Sequence, residues 1–398
     1  MTSAYKIRPL CLSFWAPPVL RPQSILIGKM IPEWIRQGLK PVIISYDNGD
    51  WDINAPVYKI SEFSAKNQFQ SLPIIRNIRE WLYYEKAYRL AKKIIKKHDL
   101  NIVFSFSNPQ ASNIIGAMLK KRLGIKFVSH FCDPWYDNPY KKYTGRGGLK
   151  VKTLEAFIVK WSDKIIFTND AATKLVMKKY PEEIRKRALD IPHCYDKRDY
   201  SEIKNNNEKF TISHIGTFYD ERNPELLFRA LKPIIENFPA LKNKFILRII
   251  GGTSAYAGYT DEKLNNMIEK YGIQEIVNTT PPVPYKESLA LMKQADFLVV
   301  IDANFKNSPF LPSKVVDYAG TGRPVVGITP NDSPTAKILK KLGSKSFNYD
   351  QEKELADYLK KLIAGEVQAE INSDEAGKFD VKETTAKLIG IFEKILSD

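Results

Sequence analysis

The chain has 398 residues, of which 43% are hydrophobic and 27% charged, with a net charge of +16, a length typical of about two domains. No apolar run approaches the roughly 18 residues of a membrane span, and the first ten residues lack the core of a signal peptide. Three scattered cysteines, Cys11, Cys132 and Cys194, form neither a metal-ligand pattern nor an even-numbered disulfide framework, so we expect a protein of the reducing cytoplasm.

The positive charge is concentrated in the N-terminal half. Residues 1–200 contain 35 Lys and Arg against 18 Asp and Glu, whereas residues 201–398 contain 26 and 27. This asymmetry predicts that the N-terminal half faces an acidic partner, a membrane surface or nucleic acid. A lysine-rich proteome with solvated helix faces is the alternative. No recognisable RNA- or DNA-binding module is present, so we predict no nucleic-acid partner.

The first half of the sequence alternates between strand-like and helix-like segments. The predicted strands are Ile7–Trp15, Pro41–Tyr46, Asn101–Phe106, Lys126–Phe131 and Lys164–Thr168. The predicted helices are Ser24–Gly38, Glu80–His98, Pro109–Gly124, Leu149–Trp161 and Asp170–Tyr180. The strands are continuous apolar runs, which are typical of a parallel sheet covered by helices on both faces.

The second half repeats this pattern. Its predicted strands are Phe210–Ile215, Phe245–Ile250, Glu275–Asn278 and Asp296–Ile301, and its predicted helices are Pro224–Asn237, Asp261–Tyr271, Lys286–Gln294 and Thr384–Leu396. We therefore predict an α/β protein with two doubly wound domains. The domains are an N-terminal one at 1–195, a polar linker at 196–209, a C-terminal one at 210–380, and a final helix at 381–398 that is a candidate to cross back to the N-terminal domain. A central cleft between the carboxyl ends of both sheets would be the ligand site.

The most informative segment lies between residues 310 and 327. Ser313 is predicted to cap a helix that begins at Lys314, and Gly320 and Gly322 are the candidates to end it. The unpaired N–H groups and the dipole of a helix N-terminus favour an anion beside Lys314. Asp317 follows one turn later on the same face. A phosphate-binding group next to a hydroxyl-binding group suits a sugar nucleotide, which carries a diphosphate beside a ribose diol.

A second segment, residues 214–227, reads as a strand, a glycine turn, a polar loop and a helix. Gly216 would let a ligand approach the backbone closely. Arg222 precedes the helix, where its guanidinium could clamp a phosphate with two hydrogen bonds. The alternative is that Arg222 pairs with a nearby acid such as Glu225.

Taken in order, these motifs resemble a known family. They are Gly216-Thr217-Phe218, then Arg222-Asn223-Pro224-Glu225-Leu226-Leu227, and about 90 residues later Leu311-Pro312-Ser313-Lys314, Asp317-Tyr318 and Gly322-Arg323-Pro324-Val325. Upstream lie Phe127–Trp135, with its Asp-Pro-Trp turn, and Ile191–Asp196 at the expected hinge. The set is similar to family-4 glycosyltransferases with the GT-B fold. The resemblance implies two Rossmann-like domains facing a central cleft, and sugar transfer to an acceptor with retention, without a metal or other cofactor.

The resemblance also implies roles for single residues. Asp317 would match the second Glu of the family's Glu-x7-Glu motif and bind the ribose hydroxyls, and Arg222 would lie near the diphosphate-binding lysine. Ser313 and Lys314 would face the diphosphate and the donor sugar. The remaining donor contacts implied are Gly216, Thr217 and Val283, the last beside the base. A UDP- or GDP-linked donor is expected.

Three positions depart from the family's pattern. Pro309 stands where the first Glu of the motif is expected, so the usual contact with the sugar is missing. Asp317 is one methylene shorter than Glu, and the loop at 17–24 lacks the usual glycine pair. A non-catalytic scaffold with this fold, or a sugar-nucleotide epimerase, is therefore an alternative to a transferase.

His130 and Asp133 end a predicted strand and are the catalytic candidates for orienting an acceptor or donor hydroxyl. Arg222 and Lys314 are the catalytic candidates for neutralising the charge that develops on the departing diphosphate. The alternatives for His130 and Asp133 are a buried, hydrogen-bonded histidine and a carboxylate that caps a turn before Pro134.

The acceptor is expected to be a glycan or a lipid-linked glycan, in the synthesis of a cell-surface polysaccharide or glycoconjugate. One helix combines apolar and aromatic residues with a basic end, namely Ile74, Ile75, Ile78, Trp81, Leu82, Tyr83 and Tyr84 followed by Lys92, Lys93, Lys96 and Lys97. Such a helix suits peripheral contact with anionic lipid on the inner face of the cell membrane. The alternative is an ordinary packed helix with a solvated basic face.

Overall fold

The computed structural model describes residues 7–19, 21–47, 51–60, 73–200, 207–253 and 258–398. The chain divides into two compact units. Unit 1 comprises Met1–His193 together with Val381–Asp398, and unit 2 comprises Cys194–Asp380. Each unit is built around its own parallel β-sheet.

Unit 1 contains a seven-stranded sheet among its described residues, in the order β3-β2-β1-β4-β5-β6-β7. Its strands are β1 (Pro9–Trp15), β2 (Val42–Asp47), β3 (Val57–Lys59), β4 (Ile102–Phe106), β5 (Lys126–Phe131), β6 (Lys164–Phe167) and β7 (Ala188–Asp190). Its helices up to the domain boundary are α1 (Pro22–Arg36), α2 (Pro73–His98), α3 (Ala111–Leu123), α4 (Gly145–Trp161), α5 (Asp170–Met177) and α6 (Glu182–Arg185). The sheet order reverses beside β1, as in doubly wound folds.

The central strands of unit 1 are buried because helices cover both faces of the sheet. Every residue of β4 is buried. The fully buried ring of Trp34 packs against Phe104 with 5.4 Å between ring centroids. Phe106 of β4 lies beside His130 of β5 in parallel register, so His130 stands at the carboxyl edge of the sheet, where ligands of such folds bind.

Unit 2 contains a six-stranded parallel sheet among its described residues, in the order β10-β9-β8-β11-β12-β13. Its strands are β8 (Phe210–Ile215), β9 (Phe245–Ile250), β10 (Val277–Thr280), β11 (Phe297–Ile301), β12 (Val325–Ile328) and β13 (Lys345–Phe347). Its helices are α7 (Glu225–Asn237), α8 (Pro239–Lys242), α9 (Asp261–Tyr271), α10 (Tyr285–Gln294), α11 (Lys314–Thr321), α12 (Pro334–Lys341), α13 (Glu352–Ala364) and α14 (Ser373–Gly377).

The order of the strands in unit 2 fixes where a ligand can bind. From β8 the chain first winds outward through β9 and β10, and then returns to β11 on the other side of β8. The topological switch point is therefore where β8 and β11 lie side by side. In open α/β sheets the crevice at this point, at the carboxyl ends of the strands, is the usual ligand site.

The last helix, α15 (Val381–Ser397), belongs to unit 1 although it follows unit 2 in the chain. Phe392 packs edge-on against Trp34 of α1, with ring centroids 5.6 Å apart. The Gln37 side-chain amide donates to the carbonyl of Lys382 at 3.0 Å. The final helix thus completes the hydrophobic core of the unit in which the chain begins.

The predicted α/β fold with two doubly wound domains is confirmed. Residues 197–200, which fall in the predicted linker, form a 3₁₀ helix in unit 2, where Tyr200 is buried. The rest of that interval up to residue 206 lies outside the described residues.

Candidate functional site

The site of unit 2 is centred on the turn after β8. Gly216 has φ +128, and a Cβ at this position would lie 2.4 Å from Nζ of Lys314. Only glycine fits here, because any side chain would collide with the amine and would strain the backbone. The close approach predicted for Gly216 is therefore made by the Lys314 side chain.

Lys314 is held at this position by the packing of α11 against β8. The fully buried Tyr318, one turn further along α11, accepts a hydrogen bond from the backbone N–H of Ile215 at 3.0 Å. Gly322 adopts a left-handed conformation and ends the helix, as predicted. The first residue of α11 therefore points its amine at the end of β8.

His214 lies beneath the amine. Its Nδ1 is 3.0 Å from the carbonyl oxygen of Val299, which can only accept, so Nδ1 carries the proton and Nε2 is free to accept. Nε2 is 3.4 Å from Nζ of Lys314, and the imidazole stacks on Phe218 with 4.5 Å between centroids. Burial, and next the charge of Lys314, lower the pKa of His214 well below its ordinary value. This histidine is neutral and supports the lysine as an acceptor.

The Lys314 amine sits in an environment that opposes its positive charge. Burial, followed by the nearby guanidinium of Arg222, lowers the pKa of Lys314 well below its ordinary value, and the carboxylate of Asp302 offsets this only in part. A negatively charged ligand beside the amine would supply the missing counter-charge. These charges therefore favour the binding of an anion.

Arg222 lies in the loop between β8 and α7. Its guanidinium stacks over the ring of Tyr219 at 4.7 Å. Its Nε is buried, and within the described residues it has no hydrogen-bond partner. Glu225, the acid considered as its alternative partner, accepts from Lys270 at 2.9 Å and from Tyr271 at 2.6 Å. A buried guanidinium N–H with its hydrogen bond unmade is costly, and a phosphate oxygen would satisfy it.

Asp302 is a site residue that the sequence analysis missed. It directly follows β11, is 3% exposed and accepts a hydrogen bond from Oγ1 of Thr329 at 2.8 Å. Burial raises the pKa of Asp302, and the charge of Arg222 opposes the rise. An acid immediately after an apolar strand, opposite the Gly216 turn, was the signal in the sequence.

Asp317 lies on α11, one turn after Lys314, and is 6% exposed. The hydroxyl of Tyr285, at the start of α10, donates to its Oδ1 at 2.9 Å. The hydroxyl of Tyr200 donates to its backbone carbonyl at 3.0 Å. Both the side chain and the main chain of Asp317 are thus anchored by tyrosines that the sequence analysis did not connect with it.

Val283 lies in the loop that leads into α10, two residues before Tyr285, and is partly buried against the core beneath α11. The neighbouring Pro282 lies next to Gly251 at the end of β9, 3.5 Å from where a Cβ would stand. The loops after β9 and β10 therefore meet on the α10 side of the site, where the base was expected.

Two of the residues predicted to contact the donor, Thr217 and Ser313, are exposed. The prediction that Ser313 caps α11 is wrong: Ser313 has helical angles, φ −57 and ψ −30, and its side chain makes no capping hydrogen bond within the described residues. A capping residue needs an extended backbone to turn its oxygen toward the helix N–H groups. The Ser313 side chain is exposed instead.

In unit 1, His130 is 5% exposed and lies against Phe104 and Phe106, with ring centroids 6.2 and 5.9 Å away. Burial, and then the proximity of His193, lowers the pKa of His130 to about 3. Asp133 accepts a hydrogen bond from Nδ2 of Asn108 at 3.2 Å. His130 therefore has the buried environment that was considered as its alternative. Its lowered pKa favours the neutral imidazole.

The described residues contain neither a metal-binding cluster nor a membrane-spanning helix. No group of three or more His, Cys, Asp or Glu side chains could hold a metal ion. None of the described helices is both long and apolar enough to cross a bilayer.

A sequence family and several curated relatives each match part of the chain. Residues 196–378 match the family described as glycosyl transferases group 1. A D-inositol 3-phosphate glycosyltransferase of Thermobifida fusca (strain YX) is 27% identical over 123 residues, which are 31% of this chain and 27% of the relative. The chain thus spans about a quarter of the length of the curated relatives that it matches.

Solved structures match nearly the whole chain. The Anabaena protein HepE, solved in complex with UDP and glucose, has a TM-score of 0.68 and 14% identity, and the match covers 98% of this chain and 100% of HepE. The lipopolysaccharide outer core galactosyltransferase WaaB, in its apo form, has a TM-score of 0.63 and 15% identity over 98% and 100% of the two chains. At identities this low the structural matches show a shared fold alone. They confirm the predicted GT-B fold.

Proposed function

We propose that this chain, whose residues 196–378 match the glycosyl transferases group 1 family, transfers a sugar from a nucleotide-sugar donor to a glycan or lipid-linked acceptor. The observation that carries the proposal is a cationic pair at the switch point of the sheet in unit 2: Lys314 over the Gly216 turn, and Arg222 close enough to lower the pKa of Lys314. Both groups lack the counter-charge or hydrogen bond that a diphosphate would supply. A UDP- or GDP-linked donor fits, and HepE, with the same fold, was solved with UDP.

The chemistry follows from this placement. Cleavage of the bond between the sugar and the nucleotide leaves negative charge on the outer phosphate. The ammonium of Lys314 and the guanidinium of Arg222 would stabilise that charge in a site shielded from water, where such interactions are strongest. We propose transfer without a metal, because these two side chains already provide positive charge beside the diphosphate.

The stereochemical outcome proposed is retention. In a front-face reaction the acceptor hydroxyl attacks the anomeric carbon beside the departing phosphate, an oxygen of that phosphate takes the hydroxyl proton, and positioning supplies much of the catalysis. Pro309 stands where the family resemblance places an acid that contacts the sugar. In unit 1, the neutral imidazole of His130 and the carboxylate of Asp133 are proposed to orient a hydroxyl, since both can accept its hydrogen bond.

The Asp317→Ala variant tests the assignment of the ribose. We expect its affinity for UDP to fall roughly 10- to 100-fold, because a hydrogen bond to a charged group contributes about 1.5–3 kcal/mol. Isothermal titration calorimetry measures the change, with Asp350→Ala, an exposed acid of unit 2, as the matched control. Equal affinity in wild type and Asp317→Ala would remove Asp317 from the site.

We further propose that the protein works in the cytoplasm, at the inner face of the cell membrane, in the synthesis of a cell-surface polysaccharide or glycoconjugate. WaaB, whose fold it shares, is a lipopolysaccharide galactosyltransferase. Of the seven large hydrophobic side chains exposed among the described residues, four lie on α2 and α4 of unit 1: Ile78, Trp81, Leu82 and Leu149. The side chains of Ile74 and Ile75, which were assigned to the same surface, lie outside the described residues.

Basic side chains continue this surface. Lys86, Arg89 and Lys93 follow Trp81 and Leu82 along the exposed side of α2. A cavity of about 440 Å³ between α2 and α4 is lined by the apolar and aromatic side chains of Trp81, Tyr84, Leu149 and Leu154, by polar side chains, by Arg146, and by Lys150, which pairs with Glu80. Apolar groups ringed by cations match the chemistry of an anionic bilayer, where each basic side chain near the surface contributes about 1 kcal/mol. This charge pattern supports peripheral membrane contact.

Neutralising three of these cations, Lys86, Arg89 and Lys93, to glutamine should lower affinity for vesicles rich in phosphatidylglycerol by roughly 100-fold, following that value per side chain. Sedimentation with the vesicles measures bound protein. Phe238→Ser, which removes an exposed aromatic residue of unit 2, should leave binding unchanged. Wild-type protein that stays in the supernatant at low salt would contradict the membrane proposal.

A further inference from the structure

The donor site proposed above contains a hydrogen bond whose role is not explained by the fold alone. Tyr285 is the first residue of α10, and its hydroxyl lies 2.9 Å from Oδ1 of Asp317 on α11. The phenol comes from the start of α10, two residues after Val283, whereas the carboxylate comes from the helix that carries Lys314. One hydrogen bond therefore links the side of the site expected to hold the base with the side expected to hold the diphosphate.

We propose that Tyr285 is a positioning residue for ribose recognition, whose hydroxyl holds the Asp317 carboxylate in the orientation that accepts the ribose diol. This inference rests on the proposed function, and it deepens it by identifying the group that sets the geometry of the sugar contact. Tyr285 acts through Asp317 and is not itself required to touch the nucleotide.

The Asp317 carboxylate has a limited reach. An aspartate carries its carboxylate on only two side-chain torsions, so its oxygens can occupy few positions once the backbone is fixed. The backbone of Asp317 is fixed by α11 and by the hydroxyl of Tyr200, which donates to its carbonyl at 3.0 Å. The remaining freedom is rotation of the carboxylate, and the hydrogen bond from Tyr285 removes it.

The Asp317 carboxylate has the capacity to accept more than one hydrogen bond. A carboxylate is an acceptor with about four lone-pair sites on its two oxygens, and Tyr285 engages one oxygen. Burial, and next the charge of Asp317, raise the pKa of Tyr285 far above its ordinary value. The phenol therefore remains protonated and always presents its hydrogen to the carboxylate. A ribose diol offers hydroxyl donors of the kind that a carboxylate accepts.

The experiment compares ligands that differ only in the ribose. Calorimetric affinities are measured for UDP, 2′,3′-dideoxy-UDP and inorganic pyrophosphate with wild type and Tyr285→Phe; GDP and its dideoxy form replace UDP if GDP alone binds. We expect Tyr285→Phe to bind UDP roughly 5- to 20-fold more weakly, a smaller loss than for Asp317→Ala, because the carboxylate itself remains and only its orientation is released. Affinity for pyrophosphate should stay unchanged, and the preference for UDP over its dideoxy form should shrink toward one.

A matched control removes a similar bond elsewhere in unit 2. The hydroxyl of Tyr271 donates to Glu225 at 2.6 Å, outside the ribose contact, so Tyr271→Phe should keep the wild-type preference for the ribose. Thermal unfolding of both variants confirms that each is folded. A loss of affinity for all three ligands in Tyr285→Phe would mark a structural role and overturn the proposal.

A double-mutant cycle with Asp317→Asn shows whether Tyr285 acts through Asp317. We expect Tyr285→Phe to have little further effect on UDP affinity once Asp317 has been changed, because coupled residues are not additive. Additive losses would mean that Tyr285 contacts the nucleotide directly, and would overturn the positioning role. An unchanged ribose preference in Tyr285→Phe would do the same while leaving the donor site intact. Wild-type protein that binds no nucleoside diphosphate would instead overturn the proposed function, and this inference with it.

Discussion

Replacement of Lys314 by alanine is expected to lower turnover with the donor by roughly 100- to 1,000-fold, the range seen when a preorganised group that stabilises developing charge is removed. The ammonium lies over Gly216, with His214 beneath it. Its charge is most needed when the diphosphate departs, so kcat should fall more than nucleotide affinity. Arg222→Ala should change kcat in the same direction, because its Nε, which is buried and has no hydrogen-bond partner within the described residues, is proposed to bind the same diphosphate.

Steady-state assays of nucleoside diphosphate release, over a range of donor concentrations, separate kcat from KM for Lys314→Ala. Lys337→Ala, which removes an exposed lysine of α12, is the matched control and should behave as wild type. A kcat within twofold of wild type in both Lys314→Ala and Arg222→Ala would show that the diphosphate lies elsewhere.

The lowered pKa of Lys314 sets the sign of the pH dependence of donor binding. Burial favours the neutral amine in the ligand-free protein, whereas a bound diphosphate favours the ammonium and raises the pKa. Binding therefore takes up a proton once the pH exceeds the ligand-free pKa of Lys314, and affinity should fall as pH rises above that value. Lys314→Ala should remove this part of the pH dependence.

Stability should fall steeply as the pH drops from 7 to 4. Burial lowers the pKa of His130 to about 3 and that of His193 to about 4, and it holds His214 well below its ordinary value. A histidine in the unfolded chain has a pKa near 6.5, so below that pH the unfolded state binds protons that the native state excludes. Each such histidine lowers the free energy of unfolding by about 1.4 kcal/mol per pH unit, until its folded pKa is reached.

Urea unfolding at pH 7 and at pH 5, followed by circular dichroism, measures this effect. His130 and His193 lie in unit 1 and His214 in unit 2, so both units should lose stability on acidification. In His130→Gln, the free energy of unfolding of unit 1 should depend less steeply on pH, by the contribution of one proton, about 1.4 kcal/mol per pH unit. This comparison requires that the variant folds at pH 7. Equal midpoints at pH 7 and pH 5 would mean that these imidazoles are accessible to protons in the native state.

The central strands were predictable because burial leaves a direct mark on the sequence. The apolar runs of β5, β8 and β9 have the predicted bounds, since helices on both faces of a parallel sheet demand continuous hydrophobic residues. The three-residue strands β3, β7 and β13 are too short to show a period. Helix α13 is different: Leu355, Leu359 and Leu362 recur at helical spacing, but the sequence prediction does not include this helix.

The site was predictable where a single segment carries its chemistry. Gly216, Arg222 and Lys314 each stand at a turn or helix start whose backbone favours an anion, and the structure brings them to one crevice. His214, Asp302 and Tyr285 were not predicted, because each acquires its role from a neighbour in another segment. The contact between Tyr285 and Asp317 joins α10 to α11 across 32 positions of sequence, and no local pattern encodes it.

The central claim is that unit 2 holds a nucleoside diphosphate without a metal. The most direct measurement is thermal unfolding of the purified protein with UDP, GDP, ADP, dTDP and CMP, in the presence of EDTA. We predict that UDP or GDP raises the midpoint, because a ligand that binds only the native state stabilises it, and that Asp317→Ala loses most of the shift. No shift with any of the five nucleotides, at concentrations up to several millimolar, would contradict the claim.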